Sequence, residues 1–395
     1  MRTAIVNGVL LTPFRRVDNG GLLIENGKIT ELFVGKLPAH AERIVDAEGL
    51  FVSPGFIDIH THGGGGYEFL DGTPEAYEAA ATFHMLHGVT SISPTLSASL
   101  DEELFAALSA FKQAKTAMKG GPNLLGLHLE GPYFSYEERG AQDARYLKTP
   151  TPEHYLRILN SSDDIIRWSS APELPGALEL ADELSRRGIV CAIGHSNATH
   201  QQVVPAFERG YTHITHLYSG CSSLRRIHAF RYMGVVDSAF AIDNMTVEII
   251  ADGCHLPAEL LKLIVKIKPW DKISLISDSM RCAGMPEGSV QYTGTKQNGM
   301  EVLIEDGVAK LTDRSAFAGS VATADRLVRN MCRLAEIPLP DAVRMMTYNP
   351  ACVLRLQSEK GVLAPGRDAD ICIFDDEINV RAVLVNGEIK KETPP

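Results

Sequence analysis

Residues 55–62 read Gly55-Phe-Ile-Asp-Ile-His-Thr-His62, a short apolar run that stops on two histidines two positions apart. Side chains at i and i+2 share one face of an extended chain, so both imidazoles point the same way. Seven further apolar runs follow, at 89–93, 124–129, 165–168, 189–193, 211–215, 245–250 and 273–276. Helical stretches lie between them. Thr73-Pro74 and Thr151-Pro152 each place a capping threonine before a proline at the first helical position, and Ser99 with Glu102 reads as a capping box. Gly88, Gly188 and Gly210 stand where helices stop. Strands alternating with helices imply right-handed βαβ units and a parallel sheet. Eight such units predict a closed (β/α)8 TIM-like barrel over 55–355. No GxGxxG follows a strand, so an open dinucleotide-binding sheet has no support.

Both ends read differently. Asn7-Gly8, Asn26-Gly27 and Asn386-Gly387 sit between short apolar runs, and Asn-Gly tolerates the positive φ of a hairpin turn. Residues 1–54 and 356–395 are therefore expected to build one small β-sandwich domain from both termini.

In a barrel, chemistry gathers where the strands end. The first run ends in His60 and His62, the third in Glu130, the fifth in His195 and the sixth in His216. The seventh ends in Asp252 with His255 close by, and the eighth in Asp278. Histidine is only 13 of 395 residues, so four at strand ends is an enrichment that calls for a cause. Neutral imidazole and carboxylate are what Zn²⁺ or Fe²⁺ accept while keeping one position open. A metal so held lowers the pKa of a bound water, and Asp278 fits the carboxylate that takes the proton and returns it to a leaving group. Metal-assisted hydrolysis of a C–N bond follows from these residues. His128 and His213, inside strands, and His40, His84, His87, His154 and His200 read as core or surface residues. Gly63-Gly-Gly-Gly66 lacks the Lys-Ser/Thr of a P-loop and reads as a tight turn beside the metal site.

Composition narrows the class. Hydrophobic residues at 45% and charged residues at 22% are globular values. A net charge of −11 argues against nucleic-acid binding, and no apolar run approaches the ~18 residues of a membrane span. Seven scattered cysteines with no CxxC pair read as reduced thiols, so the expectation is a soluble cytoplasmic protein. Arg225, Arg226, His228 and Arg231 form the densest basic patch of an acidic chain, just past a ligand-bearing strand end, where a phosphate clamp belongs.

The sequence resembles the amidohydrolase superfamily at 52–62 and 361–370, and within it the N-acetylglucosamine-6-phosphate deacetylase family. That resemblance rests on Gly126-Leu-His-Leu-Glu-Gly-Pro132, Gly194-His-Ser196, Thr215-His-Leu-Tyr218, Ile250-Ala-Asp-Gly-Cys-His255, Ser277-Asp-Ser279 and Phe317-Ala-Gly-Ser320. It implies that Glu130, His195 and His216 bind the main metal, that Asp278 is the acid/base, and that His255 contacts substrate. His60 and His62 then make a second ion plausible, so one or two divalent ions are expected, zinc first and iron next. Ala141, Gln142, Ser219, Gly220, Phe317, Ala318, Gly319 and Ser320 match the substrate-contacting segments. The resemblance further implies a homodimer in which Arg231 reaches the neighbour's phosphosugar. Three segments depart from the family pattern: Gln142 stands for His, Ser219-Gly220 for Asn-Ala, and Arg231-Tyr-Met-Gly234 for Arg-Glu-Pro-Gly. All lie in substrate segments and none in the ligand set, so the expected chemistry is unchanged while substrate preference is free to differ. The expected reaction is deacetylation of N-acetylglucosamine 6-phosphate, with the galactosamine epimer or another C–N hydrolysis as the alternative. Cyclic amidases, which bridge two metals through a strand-four lysine, are disfavoured by Trp168-Ser-Ser-Ala-Pro172. A non-catalytic scaffold is disfavoured by the intact ligand set.

Overall fold

Eight parallel strands, each found where an apolar run predicted it, form a nearly closed barrel in this computed structural model, which describes residues 2–393. Met1, Pro394 and Pro395, part of the expected terminal domain, lie outside the described residues. The strands are Phe56–Thr61, Val89–Ser97, Leu127–Glu130, Ile165–Ser170, Val190–Ile193, Tyr211–Ile214, Thr246–Ile249 and Ile273–Leu275, paired in chain order. Asp278 N donates to His60 O at 2.9 Å, which brings the end of the last strand back to the first. The strands are buried on both faces, as expected of a parallel sheet covered by helices. Trp168 shows how the layers join: it stacks on Tyr133 with ring centroids 5.6 Å apart and donates Nε1–H to Gly131 O at 2.8 Å.

The termini build a β-sandwich from one eight-stranded sheet. Arg2–Thr12 pairs along one edge with Arg15–Glu25, and along the other with Arg43–Asp46 and then Phe51–Pro54. Ile371–Phe374 continues antiparallel on Phe51–Pro54, carrying Val380–Val385 and Glu388–Glu392. Its core holds Ile5, Leu22, Ile29, Val52, Ile371 and Leu384. Asp370 ties this sheet to the barrel, accepting from Lys360 Nζ at 2.7 Å and from Asn123 Nδ2 at 3.0 Å. Among the described residues, no helix is long and apolar enough to cross a membrane.

Two local expectations are corrected. Asn26-Gly27 and Asn386-Gly387 are hairpin turns, but Asn7-Gly8 is not. Asn7 at φ 56° sits inside Arg2–Thr12 as a bulge, with register shifts on either side of Gly8. The positive φ that Asn-Gly favours serves a bulge as well as a turn. The capping box is shifted by one residue: the helix is Asp101–Ala117, and Glu103 rather than Glu102 accepts from Leu100 N, at 3.2 Å. Ser99 Oγ instead bonds the neighbouring Leu100 carbonyl. Thr73 and Thr151 do cap their helices.

Gly88 joins these layers. It follows the helix Pro74–Leu86 at φ 92°, and a Cβ there would lie 2.7 Å from Phe56 Cδ2 and 2.8 Å from Cys372 Sγ. Gly88→Ala should cost roughly 2–4 kcal/mol, from the left-handed backbone and from overpacking where barrel and sandwich meet. Urea denaturation of the two proteins measures it; an unchanged midpoint would contradict this reading.

Candidate metal centre and substrate cavity

Six buried side chains from five strand ends form one cluster centred on Glu130. Its Oε1 lies 2.8 Å from His216 Nε2, 3.2 Å from His195 Nε2 and 3.5 Å from His60 Nε2. Its Oε2 lies 3.2 Å from His62 Nε2. Asp278 Oδ1 is 3.4 Å from His60 Nε2 and 3.2 Å from His62 Nε2. Two triads, His60–Glu130–His216 and His60–His62–Asp278, each place three ligand atoms within 4.8 Å of one another. The backbone turns sharply to aim them: His195, His216 and Asp278 have φ of 47°, 28° and 47°. Such conformations cost about 1–3 kcal/mol each and persist where the surroundings enforce them.

The far side of each ring fixes its tautomer. His195 Nδ1 donates to Glu138 O and His216 Nδ1 to Ser219 O, both at 2.9 Å. A carbonyl only accepts, so both Nδ1 atoms carry protons and Nε2 is the nitrogen that faces Glu130, with a lone pair whenever the ring is neutral. His60 Nδ1 meets Glu248 Oε2 at 3.1 Å, while its Nε2 is buried without a hydrogen-bond partner. His62 Nδ1 meets Ser97 Oγ at 3.3 Å. Lone pairs of imidazole and carboxylate at these distances repel unless a cation lies among them. The donor set therefore fits a divalent ion of the Zn²⁺ or Fe²⁺ kind.

Electrostatics agrees. Burial disfavours a charge on His62, but the Asp278 and Glu130 carboxylates outweigh it and lift its pKa to about 10. His216 is likewise raised against its burial, by Cys221 and Glu130. Burial would raise the carboxyls; instead the surrounding histidines hold Glu130 well below its ordinary value and Asp278 below its own.

A cavity of about 260 Å³ opens above the cluster. Ala141, Gln142, Ser219, Gly220, His255, Phe317, Ala318 and Gly319 all stand on its wall. His255 donates Nδ1–H to Asp252 Oδ2 at 2.8 Å and packs 4.8 Å from the Phe317 ring. Gln142 braces a ligand as well: its Nε2 donates to Glu130 Oε2 at 2.7 Å, and its Oε1 accepts from Ala98 N at 3.2 Å. Gly220, at φ 53°, leaves no room for a side chain, since a Cβ would lie 2.6 Å from His195 Nδ1.

Two anticipated residues lie off the wall. Ser320 is buried beneath it, donating Oγ–H to Ser277 O at 2.5 Å, while its N–H donates to Asp278 O at 2.8 Å. Arg231 is exposed on a hairpin of Arg225–Ile227 and Phe230–Tyr232, and Arg225 is bonded to Asn197. His128 and His213 are buried beneath the ligands, His128 between Thr95 and Ser169.

The sequence reading missed part of the wall. A small sheet of Val290–Tyr292, Glu301–Glu305 and Val308–Leu311 carries a flap, residues 293–300, over the cavity. Glu103 anchors it, accepting from Thr295 Oγ1 at 2.8 Å and from Asn298 Nδ2 at 2.6 Å. Gly294 and Gly299 marked a loop in the sequence, but nothing there marked its partner.

Protons stand in for the cation while the site is metal-free: His62 titrates at about 10, and His216 is raised in the same direction. Zinc titration of the metal-free protein near pH 7.5 should therefore release at least one proton per chain, from His62. Calorimetry in buffers of differing ionisation enthalpy counts them; zero release would contradict the assigned protonation.

The amidohydrolase family model matches residues 51–390. An N-acetylglucosamine-6-phosphate deacetylase of Haemophilus influenzae is 30% identical, covering 99% of this chain and 100% of that protein. An N-acetylgalactosamine-6-phosphate deacetylase of Escherichia coli O157:H7 is also 30% identical, over 96% of this chain and 97% of the relative. Among solved structures, a mutant N-acetyl-D-glucosamine-6-phosphate deacetylase of Mycobacterium smegmatis in complex with N-acetyl-D-glucosamine 6-phosphate superposes with a TM-score of 0.89. Its identity is 29%, with 99% of each chain covered. Full-length similarity, a (β/α)8 barrel and a His/carboxylate cluster at its strand ends agree: the chain belongs to the amidohydrolase family.

Proposed function

We propose that this protein is a metal-dependent deacetylase of N-acetylglucosamine 6-phosphate, releasing acetate and glucosamine 6-phosphate. The observation that carries the reading is the Glu130-centred cluster, with Asp278 at its edge, at the floor of a cavity. In this reading 55–355 form the catalytic barrel, 1–54 and 356–395 the supporting β domain, and the protein is cytoplasmic.

Glu130, His195 and His216 hold the main ion, with His60, His62 and Asp278 providing for a second; the mixed N/O donors favour zinc. A divalent ion bound there supplies a water of lowered pKa and a Lewis acid for the acetamide carbonyl. Asp278 accepts the attacking water's proton and returns it to the amine nitrogen as the C–N bond breaks, leaving acetate and a free amine. His255, its Nδ1 committed to Asp252, offers Nε2 to the substrate. Gln142 holds Glu130 and borders the acyl group, while Ala141, Phe317, Ala318 and Gly319 wall the sugar.

No lysine or arginine lines the cavity among the described residues. A phosphate there needs cations from elsewhere, and the hairpin of Arg226 and Arg231 provides them. Leu224 and Phe230 beside them are 56% and 71% exposed, an apolar surface that suits a second copy. In a homodimer Arg231 meets the neighbour's phosphate, with Ser219 and Gly220 beside it. The galactosamine relative keeps the epimer as the alternative substrate.

Acetate release from N-acetylglucosamine 6-phosphate, with and without chelation, tests the reaction; chelator-sensitive release is expected. Absence of release from zinc-loaded protein would refute this substrate. Asp278→Asn should lower kcat by about 10²–10⁴-fold. The base must be ionised, and Asp278 titrates below the ordinary carboxylate value, so kcat/KM should hold level down to about pH 5 before any acid limb from this group. A limb centred near pH 6–7 that vanishes in the asparagine variant would contradict this. Arg231→Ala should raise KM at least tenfold with little change in kcat, because a phosphate contact far from the reacting carbonyl binds ground and transition states alike. An unchanged KM would remove Arg231 from the phosphate site.

A further inference from the structure

Beneath the metal centre the barrel is charged rather than apolar. Arg167 enters from the fourth strand with no exposed surface. Its Nη1 donates to Glu248 and, at 3.1 Å, to Ile59 O; its Nη2 donates to Thr215 Oγ1 at 3.2 Å. Glu248, from the seventh strand, is equally buried. Its Oε1 faces Arg167, with His213 Nε2 at 3.3 Å. Its Oε2 accepts from His60 Nδ1 at 3.1 Å and from His216 N at 3.3 Å.

This arrangement has a consequence for His60. A carboxylate buried here costs several kcal/mol unless paired. Arg167 supplies the pair and leaves Oε2 directed at the imidazole. The Nδ1 proton of His60 is thereby held on the Glu248 side, and Nε2 is turned between Glu130 Oε1 at 3.5 Å and Asp278 Oδ1 at 3.4 Å. His60 is also the one residue common to both triads of ligand atoms. Nothing else on the described chain meets its Nδ1.

We propose that Glu248, held by Arg167, is a positioning residue that commits His60 to the metal centre, so that the ion held through His60 depends on it. The inference rests on the metal reading above. A carboxylate behind a ligating imidazole fixes its tautomer and raises its basicity, and losing such a partner typically weakens metal binding 10–100-fold.

The test is zinc affinity, measured by competition with a chromophoric chelator, together with zinc content after dialysis. Glu248→Gln should bind at least one ion about 10–100-fold more weakly than wild type. In a His60→Asn background the same change should have no further effect, because Glu248 acts through that ring. Removing both partners of a buried pair often leaves a fold intact. Arg167→Met/Glu248→Met, checked by thermal unfolding, should therefore show the same weakened binding in a folded protein. Wild-type affinity in Glu248→Gln or in the double variant would overturn the proposal. So would a Glu248→Gln effect that persists undiminished in the His60→Asn background. A wild-type protein that binds no zinc would overturn the metal reading itself, and this inference with it.

Discussion

Four imidazoles and two carboxylates cannot share one site with their lone pairs turned inward unless positive charge lies among them. Much of the barrel's upper face follows from that constraint. The carbonyls of Glu138 and Ser219 take the outer protons of His195 and His216, which leaves the inner nitrogens free for a ligand. The left-handed turns at His195, His216 and Asp278 make the strands end where those side chains meet. Gly220 is small because His195 Nδ1 passes where a Cβ would be. That contact gives Gly220, in the Ser219-Gly220 pair, a steric cause: an alanine there would press on the His195 ring.

What the sequence made legible was local in kind. An HxH at the end of an apolar run carries its geometry in its spacing, and the eight runs appear as strands in the places they marked. The ligand set was readable because strand ends in a barrel converge whatever the intervening helices do. Contacts set by tertiary folding were not readable. Arg167 sits in a run that reads simply as a strand, and its partner Glu248 is 81 residues away. The flap and Glu103 are separated by almost 200 positions, with 192 between Glu103 and Thr295. Local signals also misled where two structures share one signal, as Asn-Gly did at residues 7–8.

Gln142 illustrates how a residue that reads as substrate-contacting in the sequence can brace the Glu130 cluster as well. By sequence it stands for a histidine and borders the substrate. In the structure its amide also bridges Ala98 N and Glu130 Oε2. An amide presents donor and acceptor at once, and here both are used within the protein. Gln142 thus braces the carboxylate oxygen that also faces His62, and its amide is committed within the protein. His255, Phe317 and the flap share the cavity wall with it, and the flap is tied to Glu103 rather than to the Glu130 cluster.

The barrel's interior makes the same point about what the fold is built to hold. An apolar pair in place of Arg167 and Glu248 would pack the barrel centre and avoid the desolvation of two charges. The pair is instead fully buried, with its carboxylate shared between the guanidinium and the His60 ring. The second oxygen of that carboxylate faces the His60 imidazole, the contact on which the positioning proposal rests. Stability is conceded at the one depth where a fixed negative charge can orient an imidazole from behind. The left-handed turns concede it again one layer above. Both lie within contact of His60 and His216, so the buried charge and the left-handed turns meet at one cluster.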